Sequence, residues 1–296
     1  MATASRTDRA TGSHTNRAPN PTTDKAPWIR PAVTLVVTAT FFLPLYLVLA
    51  NVFKPGKDIS AHPASFPWPP TFDNISAAVD RPDRLFWNGL INSVTITLLS
   101  IAVLTVVSAM LGHYLSRSRN RFARIALLVL LAGLMIPPQV ILVPVTEVLR
   151  LTGMMTTIQG IVAFNVGYYV PFGVFVFSGF IRTIPLELEE SAQLDGAGRW
   201  RTFWHVVFPL LRPATASVLI FLGVWIWNDF LNPLIILGPA GGTTVTVGVY
   251  RAIGEHQSDY GQVFGLMFLA ALPVLIFYLA LQKHFVKGLT GGAVKG

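Results

Sequence analysis

Long uncharged apolar runs, separated by short polar segments, dominate the chain from Pro31 onward. Several of them exceed the roughly 18 residues at which a membrane-spanning helix is expected. Because the runs lack the alternation of barrel strands, and because lipid offers no partners to backbone groups, each is predicted to be an α-helix. The predicted spans are about 31–53, 90–114, 125–146, 158–181, 213–237 and 260–282.

This pattern predicts an all-α membrane protein with six transmembrane helices in residues 28–296. Residues 1–27 are rich in Thr, Ala, Asn, Pro and Arg, which predicts a disordered cytoplasmic tail. Hydrophobic residues make up 52% of the chain and charged residues 12%, whereas a soluble domain carries about 25% charged residues. The formal net charge of +8 is dispersed between the apolar runs, so it indicates membrane orientation rather than nucleic-acid binding.

The Lys and Arg residues divide unevenly between the two sides of the predicted spans. With the N-terminus in the cytoplasm, sixteen of the 22 lie on the cytoplasmic side. The outer side keeps Lys54, Lys57, Arg81, Arg84, Arg150 and Arg251. This asymmetry favours a multi-pass protein with both termini in the cytoplasm, and it places the polar loop 182–212 there as well.

The loop 182–212 has the pattern of two short helices. Glu187, Glu189 and Glu190 stand near the start of the first, where the helix dipole favours negative charge. Gly196 suits its C-terminus, and Pro209 is predicted to disrupt the second helix before the next span. The second helix has an apolar stripe that comprises Trp200, Phe203, Trp204, Val207 and Phe208. Such a stripe either packs internally or binds a partner.

Spacing within this loop resembles the coupling loop of ABC importer permeases. The family's Glu-Ala-Ala triplet corresponds here to Glu190, Ser191 and Ala192. Gly196 follows after three residues, and Val206–Pro209 follow after nine more. Ser191, Val206 and Phe208 depart from the family pattern in residue type. The stretches WIWNDFLNPL and GLTGGAVKG resemble the carbohydrate-uptake permeases of the maltose type.

The resemblance implies a type I ABC importer permease fold in a bacterial inner (plasma) membrane. It implies one half of a pore, with a second homologous permease, two copies of a cytoplasmic ATPase, an extracellular sugar-binding protein and membrane lipid as partners. The residues it implies for ATPase coupling are Glu190, Ser191, Ala192, Asp195, Gly196, Ala197, Trp200, Phe203 and Pro209. The chain has no phosphate-binding loop motif, so no enzyme activity and no cofactor are expected here, with ATP and Mg on the partner ATPase.

Polar residues within the predicted spans are candidates for pore or substrate contacts. They are Asn92, Gln139, Asn165, Tyr168, Asn228 and Asp229. Amides and aromatic faces suit a sugar, but Asn and Gln also join helices to one another, and Trp225 and Trp227 are equally typical of interfacial anchors. No metal site is predicted, because the six His residues are scattered and the chain has no cysteine.

Two other classes of transporter remain open. An ABC permease for glycerol phosphate or amino acids would favour Arg or Lys within a span to bind an anionic substrate, and no span has one. A secondary transporter without an ATPase should carry ionisable residues at mid-span, and only Asp229 comes close.

Overall fold

The computed structural model describes residues 28–255 and 259–293, and the regular secondary structure of this part of the chain is helical, without a β-strand. The all-α class is therefore confirmed, while the predicted tail 1–27 lies outside the described residues. The helices are α1 (Ile29–Val52), α2 (Gly56–Ala61), α3 (Asp73–Val79), α4 (Leu85–Arg117), α5 (Arg121–Ala132), α6 (Pro138–Leu151), α7 (Ile158–Ile181), α8 (Glu187–Leu194), α9 (Arg199–Thr202), α10 (Phe208–Leu210), α11 (Arg212–Asn228), α12 (Leu231–Ile236), α13 (Val245–Glu255) and α14 (Tyr260–Ala293).

Four segments within these helices are each long and apolar enough to cross a membrane. They are Pro31–Val52, Leu85–Arg117, Ile158–Ile181 and Tyr260–Ala280. Two bent helix pairs raise the number to six if each pair counts as one span. They are Arg121–Met135 with Pro138–Leu151 and Arg199–Leu210 with Arg212–Asn228. The structure forms two compact units, the first ending at Tyr46 and the second beginning at Leu47. In the first unit the side chains from Pro31 to Tyr46 are exposed, as expected of an apolar helix surrounded by lipid.

The third predicted span consists of two helices with a sharp bend between them. A 3₁₀ turn, Gly133–Met135, follows α5, and α6 then leaves at 107°. Pro137 has extended backbone angles and Pro138 is the first residue of α6. Because neither proline offers an N–H to the preceding turn, α5 ends there and α6 begins. A proline pair within an apolar run favours a kink, and the bend here is large enough to separate two helices.

The fifth predicted span, 213–237, is also interrupted. α11 ends at Asn228, and Asp229 takes an extended conformation with φ −65° and ψ 128°. The Asp229 carboxylate accepts hydrogen bonds from the Asn232 backbone N–H at 3.3 Å and from Asn232 Nδ2 at 2.7 Å. A short polar side chain that accepts from the backbone three residues later stabilises a helix start. This interaction explains why a new helix, α12, replaces a continuation of α11.

The centre of the second unit is the packing of α4 against α7, with α11 alongside. Leu104, Val174, Phe177 and Leu222 are fully buried in its core. Gly173 of α7 lies so close to Ser108 of α4 that an added Cβ would meet the serine Oγ and its Cβ. Small residues at this crossing allow the two helices to approach closely, which is the usual basis of helix packing in membranes.

The segment after α1 folds back on the end of that helix. Lys54 is 1% exposed, and its Nζ donates to Asn51 Oδ1 and to the carbonyls of His62 and Pro63. Asn74 Nδ2 donates to the Lys54 carbonyl at 2.7 Å. Burial lowers the pKa of the Lys54 ammonium, because a buried cation loses its hydration. These bonds hold α2 and α3 beside the end of α1.

Gly173→Ala tests the close approach of α4 and α7. The added methyl group should displace Ser108 and lower the free energy of unfolding by about 1–3 kcal/mol, as overpacking does in other cores. Gly179→Ala on the same helix is the control, since its Cβ would meet nothing within 4 Å and alanine favours a helix. Equal stability of the two variants, measured by denaturant titration in detergent, would contradict this account of the packing.

Candidate functional site

The first helix of the loop 182–212 ends in a sharp, fully hydrogen-bonded reversal. The Gly196 N–H donates to the Gln193 carbonyl at 3.0 Å, and the Ala197 N–H donates to the Ala192 carbonyl at 2.9 Å. Gly196 has φ +84°. These two bonds and the left-handed residue define a Schellman motif. The spacing of Ala192, Gly196 and Ala197 therefore has a local structural reason, because it closes the end of α8.

The second half of the loop contains an unusual turn. α9 continues into a π-helix, Phe203–Val207, and then into α10. Pro209 was predicted to disrupt this helix, but the helix continues to Leu210 and the break comes at Leu211. A wider π turn accommodates a residue that lacks an N–H. The disruption is therefore expressed as a change of helix type before Pro209 and not as an end at Pro209.

Burial separates the predicted aromatic stripe into an inner and an outer part. Phe203 and Val207 are 4% and 0% exposed and belong to the core, whereas Trp200 is 64% exposed. Among the other residues predicted for ATPase coupling, Pro209 is half-buried and the rest lie at the corner of the loop, at or near its surface. These corner residues are Glu190, Ser191, Asp195 and Gly196, which are exposed, and Ala192 and Ala197, which are half-buried. Phe203 and Pro209 thus support the loop from inside, while Trp200 and the corner residues form its outer surface.

Glu189 anchors the loop to a helix that is distant in sequence. Its carboxylate accepts from Arg117 Nε at 2.8 Å through Oε1, and its Oε2 lies 2.9 Å from His113 Nε2. The Arg117 guanidinium also donates to the Ile184 carbonyl at 2.8 Å. The Glu189 side chain is only 6% exposed. We call Glu189, Arg117 and His113 the ion-pair cluster; it joins α8 to the end of α4.

The ion-pair cluster was not predicted from the sequence. Glu189 was assigned to a helix start, and His113 was one of six scattered histidines. The available signal was the four-residue spacing of His113 and Arg117, which places both on one face of α4. Nothing in the sequence indicates that Glu189, rather than Glu190 beside it, points toward that face.

A second polar feature lies where both interrupted spans break. A cleft of about 260 Å³ is lined by residues of α6, α7, α11 and α12. Its lining contains Gln139, Asn228 and Asp229, three of the six predicted pore residues, together with Tyr169, Trp225 and Asn232. We call it the polar cleft. It combines amide groups with aromatic rings, which can hydrogen-bond and stack on a polar solute.

Two polar groups in the polar cleft are already engaged within the protein. Asn228 Nδ2 donates to the Val224 carbonyl of its own helix at 2.9 Å, and Asp229 is held by Asn232. Trp225 packs against Tyr169, with ring centroids 6.0 Å apart. The tryptophan therefore packs against a neighbouring helix as well as facing the cleft.

The other three predicted pore residues lie elsewhere. Asn165 is 1% exposed and donates to Ser100 Oγ at 3.1 Å, joining α7 to α4. Asn92 donates to the Thr243 carbonyl at 2.9 Å. Tyr168 donates to the Ile136 carbonyl at 3.3 Å and lines a separate, mainly apolar cleft. Asn92 and Asn165 thus connect parts of the protein, as buried amides in membrane proteins commonly do.

Comparison with known families identifies the class of protein. Residues 103–290, more than half of the chain, match the profile of the "Binding-protein-dependent transport system inner membrane component" family. The chain belongs to this family. The resemblance recognised from the loop spacing is therefore confirmed at the level of the family, and the chain is a multi-pass membrane permease component.

Individual relatives cover nearly the whole chain. The chain is 35% identical to the melibiose/raffinose/stachyose import permease protein MelC of Bacillus subtilis (strain 168), over 88% of this chain and 94% of the relative. It is 33% identical to the multiple sugar-binding transport system permease protein MsmG of Streptococcus mutans serotype c (strain ATCC 700610 / UA159), over 86% and 91%. Its fold is similar to a chain of a bacterial ABC transporter involved in alginate import, with a TM-score of 0.75, 19% identity, and coverage of 87% and 95%.

Phe203→Ala and Trp200→Ala test the division of the aromatic stripe. Phe203→Ala should lower the free energy of unfolding by about 3–5 kcal/mol, because it leaves a cavity in the core. Trp200→Ala should change it by about 0.5 kcal/mol or less, as expected of an exposed position. Similar losses in a denaturant titration of the two purified variants would contradict the assignment of inner and outer residues.

Proposed function

We propose that this chain is the permease subunit of an ATP-driven, binding-protein-dependent sugar importer. The main observation behind the proposal is the loop corner. This chain belongs to the family, and its residues with the coupling-loop spacing lie on a closed, exposed turn. The names of the relatives MelC and MsmG support a sugar as the substrate. In this proposal the chain forms half of the translocation pore, and a second homologous permease forms the other half.

The loop 182–212 is proposed to dock on a cytoplasmic ATPase that binds ATP and Mg. Trp200, Leu194 and the corner residues present the exposed surface; Leu194 is 90% exposed. An exposed tryptophan is the kind of anchor that protein interfaces bury, and the exposed Leu194 adds apolar surface to the loop. Both termini would lie in the cytoplasm, as the distribution of Lys and Arg favours.

Transport would proceed by alternating access. An extracellular binding protein delivers the sugar, closure of two ATPase subunits moves the loops, and the permease helices change from inward-facing to outward-facing. Such a cycle requires two global states with different preferences for nucleotide and for sugar. The loop must transmit displacement without deforming, and the Schellman closure together with the buried Phe203 and Val207 gives it that stiffness.

The polar cleft supports a neutral sugar as the substrate. Gln139 and Asn228 offer amide groups, and Tyr169 and Trp225 offer aromatic faces. Its lining residues include neither Lys nor Arg, which a phosphate or carboxylate substrate would favour. Asp229 lies at the end of α11 and accepts a hydrogen bond from Asn232. This structural role accounts for the carboxylate without ion coupling, which a secondary transporter would require of a carboxylate at mid-span.

Gly196→Asp tests the docking role of the corner. At φ +84° a side chain strains the backbone by about 1–3 kcal/mol, although no atom lies within 4 Å of the added Cβ. We expect the reconstituted complex to assemble and hydrolyse ATP, but to import little sugar per ATP. Uptake and phosphate release are measured together in proteoliposomes.

Gly198→Asp is the matched control for charge. It adds the same carboxylate two residues away, at φ −64° and before a helix start, where Asp is favoured. Gly198→Asp should therefore retain coupling. Normal sugar uptake by Gly196→Asp would contradict the proposed docking role.

Gln139→Ala combined with Asn228→Ala tests the polar cleft. Each lost hydrogen bond to sugar is worth about 1 kcal/mol, so the double variant, which loses two, should import sugar about thirtyfold more slowly at saturating binding protein. ATP hydrolysis stimulated by the binding protein should persist. Asn88→Ala, an exposed amide on α4 outside the cleft, is the control, and wild-type uptake by the double variant would exclude a role for the cleft amides.

A further inference from the structure

The loop 182–212 is attached to the helix bundle both through the chain and through side chains. It continues from α7 at one end and into α11 at the other, and Phe203 and Val207 of its second half are buried in the core. The ion-pair cluster is a further attachment, which links Glu189 to residues of α4 more than 70 positions earlier in the chain. α4 is not adjacent to the loop along the chain, so the cluster is a direct polar link between them.

We propose that Glu189 is a positioning residue that makes α4 move together with the loop during transport. This inference rests on the proposed function, in which an ATPase displaces the loop. Through the ion-pair cluster, α8, α4 and α7 would form one rigid body, and that body would carry the displacement into the membrane.

The geometry of the cluster restrains α8 in more than one direction. The two carboxylate oxygens are bonded to two different side chains, and these leave α4 one helical turn apart. Arg117 also holds the Ile184 carbonyl in the turn before α8. A carboxylate with both oxygens engaged in charge-assisted bonds cannot rotate without losing one of them. Because Glu189 is buried, solvent does not readily replace a lost partner.

The cluster also contacts the second half of the loop. The His113 ring lies against Phe203, with ring centroids 5.4 Å apart. Phe203 precedes the buried residues Val207 and Leu211 that lead into α11. His113 therefore touches both halves of the loop, one through Glu189 and the other through Phe203.

The packing of α4 on α7 connects the cluster with a helix that lines the polar cleft. On α4, Gly112 lies beside His113 and packs on α7, since an added Cβ would stand 3.2 Å from Phe177 Cβ. Tyr169, earlier on the same helix, lines the polar cleft. If α4 and α7 move as one body with the loop, the aromatic wall of the cleft moves with them.

A double-mutant cycle on the reconstituted importer tests the proposal. The variants are Glu189→Gln, Arg117→Gln and the pair combined, and the readout is sugar imported per ATP hydrolysed. Each single variant should lower this ratio about fivefold, the lower end of typical coupling between sites. The double variant should lower it no further, because one interaction is lost in all three. ATPase binding, measured by co-purification, should be retained.

The exposed pair Glu147–Arg150 supplies the matched control. It is an ion pair of similar length, 2.6 Å, with side chains 53% and 69% exposed, so Glu147→Gln should leave the ratio unchanged. A wild-type ratio in Glu189→Gln, or losses that add in the double variant, would overturn the proposal. Absence of sugar import by the wild-type complex would instead contradict the proposed function, so the two failures are distinguishable.

A distance measurement keeps the test independent of how well the variants fold. The chain has no cysteine, so Tyr114→Cys and Glu187→Cys provide two label sites, one near the end of α4 and one on α8. The distance between spin labels should be the same with and without ATP in the otherwise wild-type complex. A nucleotide-dependent change in that distance would show that α4 and the loop move separately and would overturn the proposal.

Discussion

The close approach of α4 and α7 is the contact on which the other features depend. It is possible because Gly112 and Gly173 leave no side chain between the helices, and because Ser108 is small. In a membrane there is little hydrophobic gain from bringing helices together, so packing at short distance must stabilise the pair. Once the two helices are fixed, the end of α4 lies beside the residues that follow α7. The ion-pair cluster can form only because of that proximity.

The loop 182–212 combines local and long-range restraints. Its corner is closed by backbone bonds around Gly196, and its second half is held by Phe203 and Val207 in the core. Glu189 adds a buried ionic contact that ties the first half to α4. Removing one partner of such a contact leaves an uncompensated charge, which is far more costly than the pair itself is stabilising. The loop is thus a folded unit built on the bundle, with an exposed surface at Leu194 and Trp200.

The polar cleft arises from two helix interruptions that meet in space. The proline pair separates α5 from α6, and Asp229 separates α11 from α12. Irregular backbone within a membrane protein's spans is tolerated where it is covered by protein or lines a polar space. The same breaks bring Gln139 and Asn228 toward one another, although they are far apart in sequence.

The sequence by itself determined the all-α class, the approximate positions of the apolar helices and the kink at Pro137–Pro138, because these depend on composition and local backbone chemistry. It also determined where α8 ends, because a Schellman closure needs a glycine at a fixed distance after the residue whose carbonyl accepts the last hydrogen bond.

Only the tertiary structure decided which polar residues share a site. It brought Gln139, Asn228 and Asp229 together, and it placed Asn165 and Asn92 in contacts between segments. It also turned Phe203 inward and Glu189 toward α4. The physical reason is that a side chain's partners depend on how helices pack and rotate against each other. That arrangement is set by contacts between residues distant in the chain, which hydropathy and spacing do not encode.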